Sequence, residues 1–362
     1  MTITPLLALC FCCFLAVAPH PLFAQAISVQ VVAAESRQAV PTAFVSLLDE
    51  RGQPVQHALA DRRGRVLFQL PESGTYGLKA EMLGRVTAWS GPIEVAPDSI
   101  RSWVFRLEIE PIPLSEIRVE SEQRCRIRPQ DGRVMARVWE DARKALSVQS
   151  WTEEVGSHRY QILFWDRELD REGNTVVEET ARRSFITNRN PIKSLPVDRL
   201  LTGGFVQRPG EGEVEYFGPD ASVLLSDQFL NTHCFRLTEH EEDPGIIGLA
   251  FEPMSDERAE IEGRLWLHRE TGGLRFLDFE YVNLPNRLDA GVAGGRVEFH
   301  RLSDGTWVVR KWWIRAPIVT RSALDGVMRF VGIREVGQEI LEVVPRAQVA
   351  PSFLHPPPSD SV

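Results

Sequence analysis

The stretch Gly64–Leu83, GRVLFQLPESGTYGLKAEML, holds the clearest structural pattern in this sequence. Apolar residues stand at every second position on both sides of a short central segment: Val66, Phe68 and Leu70 before it, and Tyr76, Leu78 and Ala80 after it. A period of two is typical of β-strands that bury one face. The central segment, Pro71–Gly74, consists mainly of turn residues. The stretch therefore predicts two strands separated by a turn.

Short strand patterns of the same kind continue on both sides of this stretch, from Ile27 to Leu107. A turn with Gly52 and Pro54 separates two of them. No helical periodicity interrupts the series. Short strands at regular spacing without helices are typical of antiparallel sandwiches. We therefore expect residues 27–110 to form a β-sandwich.

The order of turns and strands in this region resembles the carboxypeptidase regulatory-like domain, a transthyretin-like sandwich of bacteria. The residues that match the family pattern are Gly52, Pro54, Gly64, Phe68, Pro71, Gly74 and Tyr76. The resemblance implies a module with no chemistry of its own. Such modules accompany zinc carboxypeptidases, precede TonB-dependent receptors, or occur in exported bacterial proteins. The next segment, PIPLSEIRVESEQ, looks like the strand that leads into a receptor plug, but no plug sequence follows it.

The remainder of the chain predicts a second, α+β domain. Apolar residues at helical spacing predict an amphipathic helix over about 131–148, and Asp220 is a candidate N-cap for a second helix. Strand patterns dominate the rest. We expect a linker strand over 111–130, a curved antiparallel sheet with two helices over 131–345, and a Pro-rich tail over 346–362. This architecture is similar to the half-barrels that carry lipoproteins and other apolar cargo in the bacterial periplasm.

Residues 1–24 are predicted to be an export signal. The apolar run LLALCFCCFLAVA is short for a membrane span, and small residues permit cleavage after Ala24 or Ala26. No lysine or arginine precedes the run, so an uncleaved membrane anchor is the alternative. The chain has a net charge of -9 and no basic block, which argues against nucleic acid as a partner. We expect an exported protein, periplasmic or associated with the outer membrane, with no transmembrane domain in the mature chain.

Two cysteines remain beyond the predicted signal, Cys125 and Cys234. An even number of cysteines in an exported chain favours a disulfide. We predict a bond between these two residues, and the alternative is two buried free thiols.

The sequence lacks the short motifs of the enzyme classes that its features suggest. A zinc peptidase needs a His-x-x-Glu pair, and a serine hydrolase needs Gly-x-Ser-x-Gly at a strand-to-helix turn; neither pattern occurs. Asp278 and Glu280 point to the same side of a strand, but we interpret them as part of a solvent-facing sheet edge. We therefore expect no catalytic residue, no metal site and no cofactor.

Tryptophans beside charged residues are the strongest signal for a binding surface. In TWVVRKWWIR, alternation forms two sets: Trp307, Val309, Lys311, Trp313 and Arg315 on one face, and Val308, Arg310, Trp312 and Ile314 on the other. In GRLWLHRE, a tryptophan and a histidine likewise share a face. We predict that Trp266, His268, Arg310 and Trp312 line a groove for a ligand. The alternative is that the tryptophans pack under the helices.

Together these observations predict an exported binding or interaction protein without catalytic activity, with an apolar ligand as one candidate. Three alternatives remain open. They are an accessory module that partners a TonB-dependent outer-membrane transport complex, a carbohydrate-binding protein, and a hydrolase with an unrecognised site.

Overall fold

The computed structural model describes residues 25–110, 129–156, 158–184, 192–208, 214–284, 291–323 and 325–345. The predicted export signal, most of the predicted linker with Cys125, and the predicted tail lie outside these ranges. Within the described residues, no helix is long and apolar enough to cross a membrane.

The first part of the chain forms a sandwich of two sheets. Its strands are β1 Ala26–Ala33, β2 Phe44–Leu48, β3 Pro54–Leu59, β4 Arg65–Gln69, β5 Gly74–Glu81, β6 Ala88–Trp89, β7 Ile93–Val95 and β8 Ile100–Leu107. One sheet has the order β4-β1-β8, and the other has the order β3-β2-β5-β6 with β7 paired to β5. Neighbouring strands are antiparallel except β1 and β8, which run parallel. The predicted β-sandwich is confirmed.

The two strands of the Gly64–Leu83 stretch lie in different sheets. β4 pairs with β1 and β5 pairs with β2, so the turn between them carries the chain across the sandwich. Val66 and Phe68 of β4 and Leu78 of β5 are buried in the core between the sheets. Leu67, on the other side of β4, is 61% exposed. Alternation therefore identifies the buried face of these strands, although it does not reveal which strands pair.

In the second part of the chain, the described residues form a nine-stranded antiparallel sheet with four helices. Its elements are α1 Pro129–Val155, β9 His158–Leu169, β10 Val176–Arg183, α2 Val197–Gly203, β11 Val206–Gln207, β12 Glu215–Tyr216, α3 Ala221–Leu224, α4 Asp227–Thr232, β13 His233–Glu239, β14 Ile246–Pro253, β15 Glu260–His268, β16 Leu274–Val282, β17 Gly294–Arg301, β18 Trp307–Arg321 and β19 Met328–Pro345. The sheet order is β10-β9-β19-β18-β17-β16-β15-β14-β13, while β11 and β12 form a separate hairpin. The last strand, β19, lies between β9 and β18, and so joins the beginning of this region to its end.

The mostly β, α+β fold class is confirmed, but the described residues form four helices rather than two. α1 covers the predicted helix and continues to Val155. The second predicted helix is divided into α3 and α4, because each has its own cap. Asp220 accepts a hydrogen bond from the backbone of Val223 at 3.0 Å, and Ser226 accepts one from Phe229 at 3.1 Å. α2 begins without a side-chain cap, so the sequence carried no start signal for it.

The helices cover one face of the nine-stranded sheet, which we call the covered face; the opposite face is the open face. On the covered face, apolar residues of the central strands and of α1, α3 and α4 form one buried cluster. It includes Val138, Ala142 and Leu146 of α1, Val223 of α3, Phe229 of α4, and Leu249, Phe251, Leu265, Leu277, Phe279 and Ile314 of the sheet. Burial of this cluster is the main stabilising contribution to this part of the chain.

Buried charged residues of α1 bind the sandwich. Asp141 is fully buried and accepts a hydrogen bond from a backbone amide of the sandwich at 3.3 Å. Lys144 donates one to the carbonyl oxygen of Arg85 at 2.7 Å. Arg143 forms an ion pair with the buried carboxylate of Glu81 on β5. Since buried charges need specific partners, these contacts define how α1 lies against the sandwich.

Apolar packing strengthens the same interface. Phe44 of β2 belongs to the covered-face cluster, and its ring makes an edge contact with Trp151 of α1 at a centroid distance of 5.5 Å. A strand of the sheet also contacts the sandwich directly: Arg301 of β17 donates a hydrogen bond to the hydroxyl of Thr42, just before β2, at 2.6 Å. The sandwich and the sheet region therefore share a packed boundary.

Candidate functional site

Charged and aromatic side chains alternate with core residues along the central strands and lie on the open face. Strand pairing from β15 to β18 sets Arg264, Asp278, Arg296 and Trp313 opposite one another in succession. Directly opposite residues have Cβ atoms roughly 4.5–5.5 Å apart, so their side chains interact. We call these four residues the central row.

Arg296 and Asp278 hold each other in position. Nε of Arg296 donates to Oδ1 of Asp278 at 2.5 Å, and Nη2 donates to Oδ2 at 3.0 Å. The guanidinium also lies 4.5 Å from the ring centroid of Phe276. A bidentate pair over an aromatic ring has a defined geometry as well as a charge. The middle of the open face is thus pre-organised.

Glu335 of β19 is a buried anchor on the open face. It is 5% exposed, and its carboxylate accepts hydrogen bonds from Nε1 of Trp165 at 3.1 Å and from Nε of Arg315 at 2.8 Å. Nη1 of Arg167 lies 3.5 Å from the same carboxylate. Because several donors surround this buried charge, its desolvation is compensated. The arrangement also holds Arg315 in one position.

Both tryptophans near Glu335 carry a guanidinium on the ring. The guanidinium of Arg315 lies 4.8 Å from the ring of Trp313, and that of Arg167 lies 4.9 Å from the ring of Trp165. Stacked guanidinium groups lose less freedom when they bind a further partner, because they are already ordered. These arginines are therefore fixed hydrogen-bond donors.

A cavity of about 530 Å³ opens on this face beside Arg315. In the row next to the central row, Glu262, Glu280, Gly294 and Arg315 are opposite one another. A Cβ at Gly294 would lie 2.6 Å from the carbonyl oxygen of Phe279, so only glycine fits there. The missing side chain leaves the floor of the cavity open between Glu280 and Arg315.

The lining of the cavity is charged, with both signs present. The charged residues that line it on the sheet are Arg236, Glu252, Glu262, Arg264, Asp278, Glu280 and Arg315. Glu262 and Glu280 are directly opposite each other, and within the described ranges neither side chain has an ion-pair or hydrogen-bond partner. Opposed like charges are destabilising in a sheet. The cavity therefore offers free acceptors next to fixed donors.

The four residues predicted to line one groove do not come together. Trp312 is 6% exposed and belongs to the covered-face cluster, so it packs under the helices. Trp266 lies on the open face, where Phe276 and His240 pack against it and leave it 6% exposed. The two tryptophans are therefore on opposite sides of the sheet.

A β-bulge explains why strict alternation misplaces part of β18. The pairing of β17 with β18 skips Arg310, which is the extra residue between Val309 and Lys311. As a result Val309 and Trp312 share the covered face, although alternation assigns them to different faces. Arg310 itself is exposed, and His268 lies half-buried at the end of β15.

The interpretation of Asp278 and Glu280 as a sheet edge is wrong, because β16 pairs with strands on both sides. Both carboxylates lie in mid-sheet and line the cavity.

The sequence patterns did not identify Trp165, Arg315 and Glu335 as site residues, because their contacts join strands up to 170 residues apart. The only local signal was the alternation of charge and tryptophan after the bulge. Within the part of the chain that the structure describes, no group of three or more His, Cys, Asp or Glu residues is placed to hold a metal ion.

Cys234, the second residue of β13, is buried. Its predicted partner, Cys125, lies outside the described residues, so the disulfide stays a prediction.

No family model and no curated protein matches this sequence. Among solved structures, the 5-hydroxyisourate hydrolase of Klebsiella pneumoniae is 16% identical over 24% of this chain and 90% of its own, with a TM-score of 0.20. A LolA superfamily protein of Nitrosomonas europaea is 11% identical over 56% of this chain and 94% of its own, with a TM-score of 0.25. At such values these likenesses carry no conclusion about function, which has to come from the site. The resemblance to the carboxypeptidase regulatory-like domain also stays a prediction.

Proposed function

We propose that this chain is a non-catalytic binding protein of the bacterial cell envelope, and that the cavity on its open face binds a carbohydrate. The observation that carries the proposal is Arg315. Glu335 holds its guanidinium, the ring of Trp313 supports it, and the side-chain-free floor at Gly294 lies directly beside it. The placement in the envelope rests on the predicted export signal.

The charge of the lining favours a polar ligand over the apolar one that the sequence suggested as a candidate. An apolar molecule in this cavity would remove water from Arg264, Glu262 and Glu280 without offering them hydrogen bonds. Desolvation costs roughly several kcal/mol for each unpaired charged group. A ligand with its own donors and acceptors replaces that water instead.

Among polar ligands, hydroxyl-rich molecules fit the mixture of side chains best. Each hydroxyl donates one hydrogen bond and accepts others, so it satisfies a carboxylate and a guanidinium at the same time. Trp313 adds an amphipathic ring at the side of the cavity. The volume of about 530 Å³ lies in the range of small-molecule sites, which is roughly 300–1,000 Å³. A short sugar chain meets all three conditions.

The test is a glycan array with the full-length exported protein, followed by calorimetry with the glycan that binds. Arg264→Gln should weaken binding by about tenfold or more, because a hydrogen bond to a charged group contributes roughly 1.5–3 kcal/mol. Trp313→Ala should weaken binding by a similar factor, because it removes the ring that supports the guanidinium of Arg315. Arg310→Gln is the matched control: it removes an exposed arginine from the strand that carries Trp313, outside the cavity.

Two outcomes would contradict the proposal. Failure of the wild-type protein to bind any glycan class would remove the ligand assignment. Mass spectrometry that finds cleaved glycan after incubation would show a hydrolase, with the opposed Glu262 and Glu280 as the first residues to change.

A further inference from the structure

The edge strand β10 differs from the opposite edge of the same sheet. All eight residues of β10 are exposed, including Val176 at 48% and Val177 at 68%. At the other edge, β13 buries His233 and Leu237 and is packed by α4. Within the described residues, only β9 pairs with β10, so one side of its backbone has no strand partner. An exposed edge of this kind is a template for strand addition.

The order of charges along β10 is self-complementary. Its sequence is VVEETARR, with two glutamates before Thr180 and two arginines after Ala181. A second copy of the strand, laid alongside in the antiparallel direction, brings the acidic half of each strand against the basic half of the other. A parallel arrangement in register would place like charges together, which is unfavourable.

Symmetry selects the register of such a pair. A two-fold axis perpendicular to the sheet maps each face of the sheet onto itself. Opposed residues of the two antiparallel strands therefore point to the same face of the joined sheet. With the axis at Thr180, the two Thr180 residues are opposed, and Glu178 of each strand is opposed to Arg182 of the other. On the other face, Glu179, which also forms an ion pair with Arg167 of its own chain, lies diagonally to Arg183 of the other copy. Opposed threonines and opposite charges are both stabilising cross-strand pairs.

We propose that β10 is a homodimerisation edge, where two copies of this chain pair antiparallel about Thr180. The nine-stranded sheets then continue into one another. The open faces lie on the same side of the joined sheet, so the two cavities face the same direction. This proposal rests on β10 alone and is independent of the ligand in the cavity.

Cysteine cross-linking tests the register directly. Opposed residues have Cα atoms about 4.5–5.5 Å apart, within the range of a disulfide. Thr180→Cys should therefore form a covalent dimer on mild oxidation, removed by reductant. Ala181→Cys is the control, because each Ala181 is opposed to Glu179 and lies about 7–8 Å diagonally from its own mate. Wild-type protein oxidised in parallel shows how much cross-linking the natural cysteines cause. Equal cross-linking at both positions would overturn the register.

Charge reversal tests the interface. Sedimentation over a concentration series should show a wild-type dimer. Glu178→Arg and Arg182→Glu should each shift the monomer–dimer midpoint about tenfold or more towards monomer, since one change creates two repulsive pairs. An equimolar mixture of the two variants should restore the dimer. Glu242→Arg, between β13 and β14, and Arg275→Glu, on β16, change exposed residues away from β10. They are matched controls and should leave the midpoint unchanged.

Circular dichroism and the Tm check that each variant folds. This control is needed because Arg182 also lies 5.6 Å from the ring of Phe164 within the same chain. A wild-type protein that stays monomeric throughout would overturn the proposal. So would a dimer that neither reversal weakens, or a mixture that does not re-associate.

Discussion

The two faces of the nine-stranded sheet are built from the same strands and have opposite properties. Trp312 and Trp313 are neighbours in sequence, yet one is enclosed by the helices and the other lies beside a charged cavity. On the covered face, aromatic residues pack against each other and against aliphatic side chains. On the open face, each tryptophan beside Glu335 is stacked with an arginine. The comparison shows that the charged cavity belongs to the face without helices, while the other face carries the apolar core.

The largest effect on stability should come from the covered face. Trp312→Ala removes a large buried side chain, and we expect the free energy of unfolding to fall by about 3–5 kcal/mol. Chemical denaturation measures this loss. A loss below that of Trp313→Ala would contradict the assignment of the two faces.

The second effect is a pH dependence that also belongs to the covered face. Burial lowers the pKa of His233 to about 4, although its ring shares a hydrogen bond with the carbonyl oxygen of Phe229 at 3.1 Å. Between pH 6.5 and pH 4 the unfolded chain therefore binds a proton that the folded chain does not. Stability should fall as the pH is lowered through this window, by about 3 kcal/mol in total.

Denaturation at several pH values checks this expectation. His233→Gln should remove that part of the pH dependence, whereas His300→Gln, at an exposed position, should leave it in place. An unchanged slope in His233→Gln would show that other groups are responsible.

A smaller effect is expected at the anchor of the open face. Glu335→Gln keeps the shape but removes the charge that Trp165, Arg315 and Arg167 share. We expect a loss of about 1.5–3 kcal/mol in the free energy of unfolding, because the hydrogen bonds involve a charged group. Glycan binding should weaken as well, since Arg315 loses its fixed position. If stability falls while glycan binding is unchanged, Glu335 stabilises the fold but has no role in binding.

The smallest effect on stability should come from Trp313. Trp313→Ala changes a half-buried residue on the open face, so we expect a loss of about 1 kcal/mol or less. Binding should nevertheless fall. This contrast with Trp312→Ala is the sharpest comparison that the chain offers, because the two substitutions are chemically identical and adjacent. Crystal structures of both variants would verify that the strand register is unchanged.

The sandwich was predictable because its signals are local. Turn residues and alternation in Gly64–Leu83 identify both the strands and their buried sides, and the structure buries Phe68 and Leu78 as expected. The helix over 131–148 followed from its periodicity in the same way. Its neighbour α2 has no side-chain cap and was missed.

The candidate site was not predictable from the sequence, for two physical reasons. The bulge at Arg310 adds one residue to β18, and this reverses the face of every side chain before it relative to those after it. In addition, Glu335 meets Trp165 only because β19 returns to pair with β9. Alternation within single strands contains no information about either event.

The buried charges between α1 and the sandwich also affect how this chain can recombine. Asp141 and Lys144 bind backbone groups of the sandwich, and Arg143 requires a carboxylate at position 81. A foreign sandwich inserted by gene fusion would have to present an amide, a carbonyl and an acid at the same three points. Otherwise the charged groups of α1 would be buried without partners, and the two parts would not pack against each other. The sandwich and α1 should accordingly be inherited as a pair, and chimeras should succeed only when both are exchanged together.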